Sequence, residues 1–336
     1  MTAGRKLAVL GTAAVLGFTF ASETIALEWN VSLWGKRRAF TEHVEKLAEL
    51  VSEKTNGEFT LNLAYGEALS KSRENLDGIS IGAFEMAQFC ASYHADKNPT
   101  LTVLELPFLG VPDLETQVEL DRALYAHPAV EKDLARWNAK LIMSSPMPQY
   151  NFVGKGEAPS EVADFEGMRV RALGGIGKAM ETIGAVPTTV TASETFQAID
   201  SGTVRAASFA PHAHLSFKTV EAGSWWTTNL NPGTVNCPVV VNMDAYAALP
   251  DNYREALDSS IEGAIDHYLA TYAKVYDKWY PTLEEMDIEQ VSFPKDQLDA
   301  FKAKAGQPLW DAWVAEMDAK GIPGQELLDM VQSKLN

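Results

Sequence analysis

Cysteine is scarce in this sequence: only Cys90 and Cys237 occur in 336 residues. Two thiols make no disulfide framework, so the core must hold the fold. Pairing and buried free thiols both remain open. Positive charge is also short. There are 28 Lys and Arg against 45 Asp and Glu, for a net charge of −17, which argues against nucleic acid or an anionic membrane as a partner. Beyond the first 26 residues no apolar run is long enough to span a bilayer. No Gly-x-Ser-x-Gly elbow, His-Glu-x-x-His or Cys–His signature is present. Repeats, low-complexity tracts and flexible linkers are missing too. His212-x-His214 has no carboxylate or cysteine at ligand spacing beside it. On a loop or strand the pair reads as solvated or cleft-lining, and no metal or other cofactor is expected.

The N-terminus carries a distinct pattern. Arg5 and Lys6 precede the apolar stretch Leu7 to Ala21, which is short for a membrane span. Thr24 and Ala26 supply small residues for cleavage after Ala26. Residues 1–26 therefore read as a secretory signal peptide, which places the mature protein in the periplasm.

From there the chain alternates. Leu27–Trp34 reads as a strand, and 38–55 as an amphipathic helix with Phe40, Val44, Leu47 and Val51 on one face. Strands are expected at 59–65 and 84–89, with a helix at 73–82 between them. This rhythm predicts an α/β fold with a parallel sheet. After helices near 113–125 and 129–138 and a strand at 141–144, the rhythm restarts at 168–172 and runs to 204–209. Val235–Asn242 can cross back. Residues 251–280 read as one helix ended by Pro281, about 45 Å long at 1.5 Å per residue, long enough to brace two lobes. The expected lobes are 27–148 plus 237–276, and 149–236 plus 277–336, with a cleft between them.

Arg171 is the most informative residue. It ends a short apolar strand and faces Gly174-Gly175-Ile176-Gly177. A nucleotide loop would need a third glycine where Met180 stands. A cation beside a helix N-terminus still makes an anion site, and an arginine fork suits a carboxylate or sulfonate. A salt bridge to a surface acid is the plain alternative for Arg171. Trp34, Phe89, Tyr93, Tyr150, Phe209, Trp225 and Trp226 fall at predicted strand ends or in loops. Packing accounts for most aromatics, but at the edges of parallel strands they line clefts where α/β ligands bind.

Several short matches in order carry a family resemblance: Asp164-Phe-Glu-Gly-Met-Arg-Val-Arg171, Ile183-Gly-Ala-Val-Pro187, Ser193-Glu-Thr-Phe-Gln-Ala-Ile199, Gly202-Thr-Val204, Leu69-Ser-Lys71, Gly82-Ala-Phe-Glu-Met86 and Val240-Val-Asn242. Over nearly the whole mature chain the sequence resembles the periplasmic solute-binding proteins of TRAP transporters, the DctP-like family. The resemblance implies a two-lobed periplasmic binding protein fold, a long helix bracing both lobes, and a cleft that closes on an organic anion. Arg171 would pair with the ligand's carboxylate. It also puts Lys71, Phe89 and Asn236 at pocket positions. Departures follow the same matches. Arg205-Ala206 replaces the family's Asp-Gly, and Phe209 stands where many members carry asparagine. A second arginine expected upstream is replaced by Gln149, Tyr150 and Asn151.

The pocket is thus expected to be aromatic and poor in hydrogen bonds. It would hold one anionic head on Arg171 and Lys71, with an apolar, aromatic or betaine-like body. The implied function is capture of a small carboxylate or sulfonate, as a monomer, for delivery to the small and large TRAP membrane subunits, without catalysis. The rival readings are a binding protein for an ABC permease or a sensor, and a secreted α/β enzyme using the same cleft.

Overall fold

The computed structural model describes Met1 and residues 26–335. The expected signal peptide is carried by residues 2–25, which lie outside that description. Eleven short strands among the described residues form two sheets, joined by helices into an α/β fold. The first sheet contains β1 (Leu27–Leu33), β2 (Phe59–Ala64), β3 (Met86–Gln88), β4 (Ala139–Met143) and β10 (Val239–Asn242), in the order β2-β1-β3-β10-β4. Strand β1 runs parallel to β2 and β3, while β10 is antiparallel to β3 and β4. The second sheet contains β5 (Asn151–Gly154), β6 (Arg169–Arg171), β7 (Val186–Thr188), β8 (Ala206–Phe209), β9 (Trp225–Thr227) and β11 (Glu289–Val291). Its order is β11-β9-β5-β8-β6-β7. Both sheets are mixed rather than purely parallel, because β5 and β10 are laid in against their neighbours.

The first long helix, Glu42–Lys54, buries Val44, Leu47 and Val51 as its 3.6-residue spacing dictates. It starts later than the expected residue 38. Arg38 is extended at φ −166°, ψ 175°, and a short 3₁₀ turn, Ala39–Thr41, intervenes. Thr41 closes that turn, its Oγ1 donating to the Arg38 carbonyl at 2.8 Å and accepting from the Arg38 N–H at 3.2 Å. This local cap sets the direction of the Arg38 side chain.

The single helix expected over 251–280 is interrupted. Asp251–Asp258 and Ile261–Tyr272 are separated at Ser259–Ser260. There the Ser260 hydroxyl donates to the Ala256 carbonyl at 2.6 Å and competes with the ladder. Pro281 does not end the helix either. The chain stays helical through Ala273–Val275 and Tyr276–Glu285, with Pro281 inside the last segment. Trp279 and Leu283 are buried on either side of it, and Trp279 meets the Trp226 ring edge-on at 5.5 Å. Packing thus overrides the local cost of the missing N–H. The run Ile261–Glu285 packs at one end on Glu42–Lys54 and at the other on Pro211–Ser216, so it touches both halves.

The last two helices, Gln307–Ala319 and Gly324–Leu335, bury Trp313, Met317, Leu327, Leu328 and Val331 in the cluster that holds Phe89 and Val240 of the first half. Of the expected 277–336 segment, Glu289–Val291 pairs with Trp225–Thr227 in the second sheet, while these two helices lie against the first half. The amphipathic faces were legible, but which sheet they cover depends on a return across the molecule. No helix among the described residues is long and apolar enough to cross a membrane.

Cys90 and Cys237 form a disulfide. They extend β3 and β10, whose backbones continue pairing through Phe89 N–H to the Pro238 carbonyl and Ala91 N–H to the Asn236 carbonyl. The bond therefore ties together two strands that are neighbours in the sheet but 147 residues apart in sequence.

Candidate functional site

Arg171 ends β6, which is sandwiched between β7 and β8. Its side chain is 1% exposed. Nε donates to the Val190 carbonyl at 3.1 Å, Nη1 to the Ser208 carbonyl at 2.9 Å and Nη2 to the Tyr93 hydroxyl at 3.1 Å. The guanidinium lies 4.1 Å from the centre of the Phe209 ring. Among the described residues it has no carboxylate partner, which removes the surface salt bridge as an explanation. A desolvated cation with only neutral acceptors is costly unless an anion joins it. Tyr93 comes from the first half, and its hydroxyl also accepts from the Ala192 N–H at 2.9 Å. One phenol oxygen thereby ties the two halves together at the arginine.

A second arginine reaches the same cavity from the first half. Arg38 is 9% exposed, and its guanidinium sits 4.6 Å from the Trp34 ring, 5.2 Å from Phe40 and 5.2 Å from Phe217. Among the described residues its guanidinium makes one hydrogen bond, from Nη1 to the Lys36 carbonyl at 2.9 Å, and its buried Nε–H has no acceptor. Burial pushes its pKa down to about 10. Gly35 makes the space: a Cβ there would fall 1.8 Å from Arg38 Nη1.

Around the two cations the walls are mostly aromatic. Trp34, Tyr93, Tyr150, Phe209 and His212 were expected on the cavity, and all line it with Arg171. Arg38, Phe40, Met147 and Phe217 were not expected and line it as well. The sequence signal for Arg38 was the Arg37-Arg38 pair directly after β1, which reads as a basic surface. The halves are closed on the cavity, leaving about 20 Å³ for the centre of a water-sized molecule, room for about one water. The Trp34 indole N–H is buried without an acceptor among the described residues. The ring of His212 bonds the Tyr272 hydroxyl through Nδ1 at 2.6 Å, and burial holds it neutral. His212 and His214 lie on the helix Pro211–Ser216 rather than on a loop or strand. His214 is bonded separately to Thr219 and the Asn151 carbonyl.

Five expected residues lie elsewhere. Lys71 is exposed in a turn. Phe89 is fully buried against His94 in the first half's core. Gln149 is half-buried between Met147 and Tyr150 without joining the wall. Trp225 packs in the second half's core on Phe165 and over Gly154, where a Cβ would come within 2.1 Å of the indole. Asn236 is buried behind the wall. Its backbone N–H donates to Glu105 at 3.0 Å, its Nδ2 to Asp121 at 3.0 Å, and its Oδ1 accepts from the Tyr125 hydroxyl at 3.2 Å.

The glycine run also has a different use. Gly174–Glu181 is helical, and a Cβ at Gly175 would fall 1.9 Å from the Glu105 carbonyl oxygen. The glycines let the Pro99–Glu105 segment cross at close range. The helix N-terminus is met by the Glu105 carboxylate, whose Oε2 lies 2.4 Å from where a Gly174 Cβ would stand. Burial raises both Glu105 and Asp121 to about 7, against hydrogen bonds that favour their charged forms. No cluster of His, Cys, Asp or Glu able to hold a metal occurs among the described residues.

Residues 31–317 match the family model described as bacterial extracellular solute-binding protein, family 7. A monocarboxylate 2-oxoacid-binding periplasmic protein of Nostoc is 26% identical over 312 residues, covering 86% of this chain and 84% of the relative. Two solved structures share the fold. A marine metagenome TRAP solute-binding protein specific for aromatic acid ligands, in complex with 3-hydroxybenzoate, superposes with a TM-score of 0.82 at 19% identity, covering 92% of this chain and 98% of that one. DctP7 of Bordetella pertussis, an extracytoplasmic solute receptor binding pyroglutamic acid, superposes with a TM-score of 0.80 at 22% identity, covering 91% and 100%. With its two closed α/β halves and a match across most of its length, the chain belongs to the DctP family of bacterial extracellular solute-binding proteins.

Proposed function

We propose that this protein is the periplasmic receptor of a TRAP transporter, that it captures a small organic anion with an aromatic or apolar body, and that it hands this ligand to the small and large membrane subunits. Its family consists of solute receptors rather than enzymes. The observation that carries the reading is Arg171: a buried cation, bonded only to neutral acceptors, with its Nη2 on a tyrosine from the opposite half. A carboxylate arriving there supplies the missing charge and meets a fork suited to two parallel hydrogen bonds. Contact with both halves stabilises the closed form by its differential affinity. The aromatic walls support a flat or apolar body. In line with this, relatives of the same fold hold 3-hydroxybenzoate and pyroglutamic acid.

Isothermal titration calorimetry against a panel of small carboxylates and sulfonates tests the reading. At least one should bind, and Arg171→Ala should weaken it by about tenfold or more, since hydrogen bonds to charged groups are worth ~1.5–3 kcal/mol. Unchanged affinity in that variant would remove Arg171 from the site.

A further inference from the structure

Arg171 accounts for one buried charge on the cavity wall; Arg38 is a second, and one anionic head cannot compensate both. Given the reading of this cavity as the ligand site, we propose that Arg38 is a second oxyanion anchor and that the ligand is a small aromatic dianion. Since the closed cavity holds only about one water, the halves must part to admit it, and a flat ring bearing two carboxylates, or a carboxylate and a sulfonate, then spans from Arg171 to Arg38.

Four observations converge. First, the Arg38 fork is open. Only Nη1 is bonded, which leaves Nε and Nη2, the edge that meets an oxyanion with two parallel bonds, without acceptors among the described residues. Second, the acids close to Arg38 in sequence are already engaged. Glu45 pairs with Arg37 at 2.5 Å, and Glu42 lies 3.2 Å from the His267 ring. The buried acids Glu105 and Asp121 are held by Ser92, Asn236, Gln117 and Ser144. Third, the Trp34 indole N–H beside Arg38 is another buried donor with no acceptor among the described residues. Fourth, the two guanidiniums are linked by a stacked pair of rings. Phe209 and Phe217 lie 5.8 Å apart at 24°, with Arg171 against the former and Arg38 against the latter. Trp34 continues the stack on Phe217 at 6.1 Å and 4°. Two cations, one held against each of two neighbouring rings, match a dianion in charge.

The test is calorimetry with three probes of one body: benzoate, terephthalate and 4-sulfobenzoate. The unaltered protein should bind either dianion at least about tenfold more tightly than benzoate. Arg38→Gln should bring the dianions to within about threefold of benzoate, leave benzoate itself within about threefold of its original affinity, and leave the ligand-free melting temperature the same or higher, because an unpaired buried charge is gone. Should Arg38→Gln fail to fold, Arg38→Lys keeps the charge but not the fork and should lose most of the dianion advantage. A dianion preference that survives in the variant overturns the proposal. So does benzoate losing as much as terephthalate, since both arginines then grip a single carboxylate. If the probes fail while another carboxylate binds through Arg171, the dianion is wrong and the receptor reading stands. If Arg171→Ala leaves every affinity unchanged, the receptor site itself is misplaced.

Discussion

The Arg171 guanidinium rests 4.1 Å from the centre of the Phe209 ring, while Arg171 and Phe209 are both almost fully buried. The ring's face screens a cation that has no protein anion, and it also forms one wall of the cavity. Phe209→Leu keeps the apolar bulk and removes the π face. Aromatic carboxylates should bind more weakly by about 0.5–2 kcal/mol, roughly two- to thirty-fold, with aliphatic carboxylates changed less. Calorimetry with matched aromatic and aliphatic acids reads the difference. An equal loss for both classes would assign Phe209 to general packing.

Gly35 offers a way to move Arg38 without deleting it. A Cβ at this position would fall 1.8 Å from Nη1 and 2.5 Å from Cζ of Arg38, so the guanidinium must swing away. The charge remains, and the end of a long side chain moves cheaply. Gly35→Ala should therefore shift thermal stability little but cut the preference for dianions by about the same factor as Arg38→Gln. Retained preference would mean that the fork is not held by this contact.

The disulfide between Cys90 and Cys237 closes a span of 147 residues across adjacent strands, and both cysteines line the cavity. Loops of this length lose much chain entropy in the unfolded state when cross-linked. Replacing both cysteines with alanine should cost about 2–5 kcal/mol. Urea titrations with and without reductant measure it directly. The reduced native protein and the double variant should coincide, and a reductant effect on the double variant would show that something else is being reported.

Arg37 and Arg38 show where sequence reading stops. They are neighbours of one residue type, yet Arg37 is 73% exposed and paired with Glu45 while Arg38 is buried. What separates them is a glycine three residues before Arg38 and a threonine three residues after it, which together fix an extended backbone at Arg38. Neither is a strong signal alone. By contrast, Arg171 stands out because it ends a short apolar strand, although the strand alone leaves a surface salt bridge open for it. Trp34, Tyr93, Tyr150 and Phe209 were legible as strand-end aromatics. Trp225 carried the same signal and turned out to be core, because period alone does not say which sheet face meets the cleft and which meets a helix. The glycine run reads in the sequence as a helix N-terminus open to an anion. The close approach there is made by the chain's own Glu105 segment.

Buried titratable groups make stability depend on pH in opposite directions. Burial holds His43 and His214 down to about 3, His94 to about 4, and His212 well below its ordinary value of 6.5. Their folded pKa values are depressed. The stability they contribute is present above about pH 6.5 and lost as pH falls below it, because the unfolded chain takes up protons first. Glu105 and Asp121 act in the opposite sense. Their folded values are raised to about 7 from 4.5 and 3.8, so their contribution is full at low pH and is lost as pH rises through about 7. Between pH 5 and 6.5 four histidines oppose two acids with shifts of similar size, and the histidines win. Above pH 6.5 the remaining histidine gain and the loss from the acids nearly cancel, because the unfolded histidines are still half protonated there and the folded acids titrate near 7. Stability should therefore fall by a few kcal/mol from pH 6.5 toward pH 5 and stay nearly level from pH 6.5 to 8. Urea midpoints at pH 5, 6.5 and 8 check the shape. Glu105→Gln removes one opposing acid, so it should steepen the fall from pH 6.5 to 5 and turn the level stretch between 6.5 and 8 into a rise of roughly 1 kcal/mol. A pH profile unchanged in that variant would mean that Glu105 is already charged in the native protein across this range.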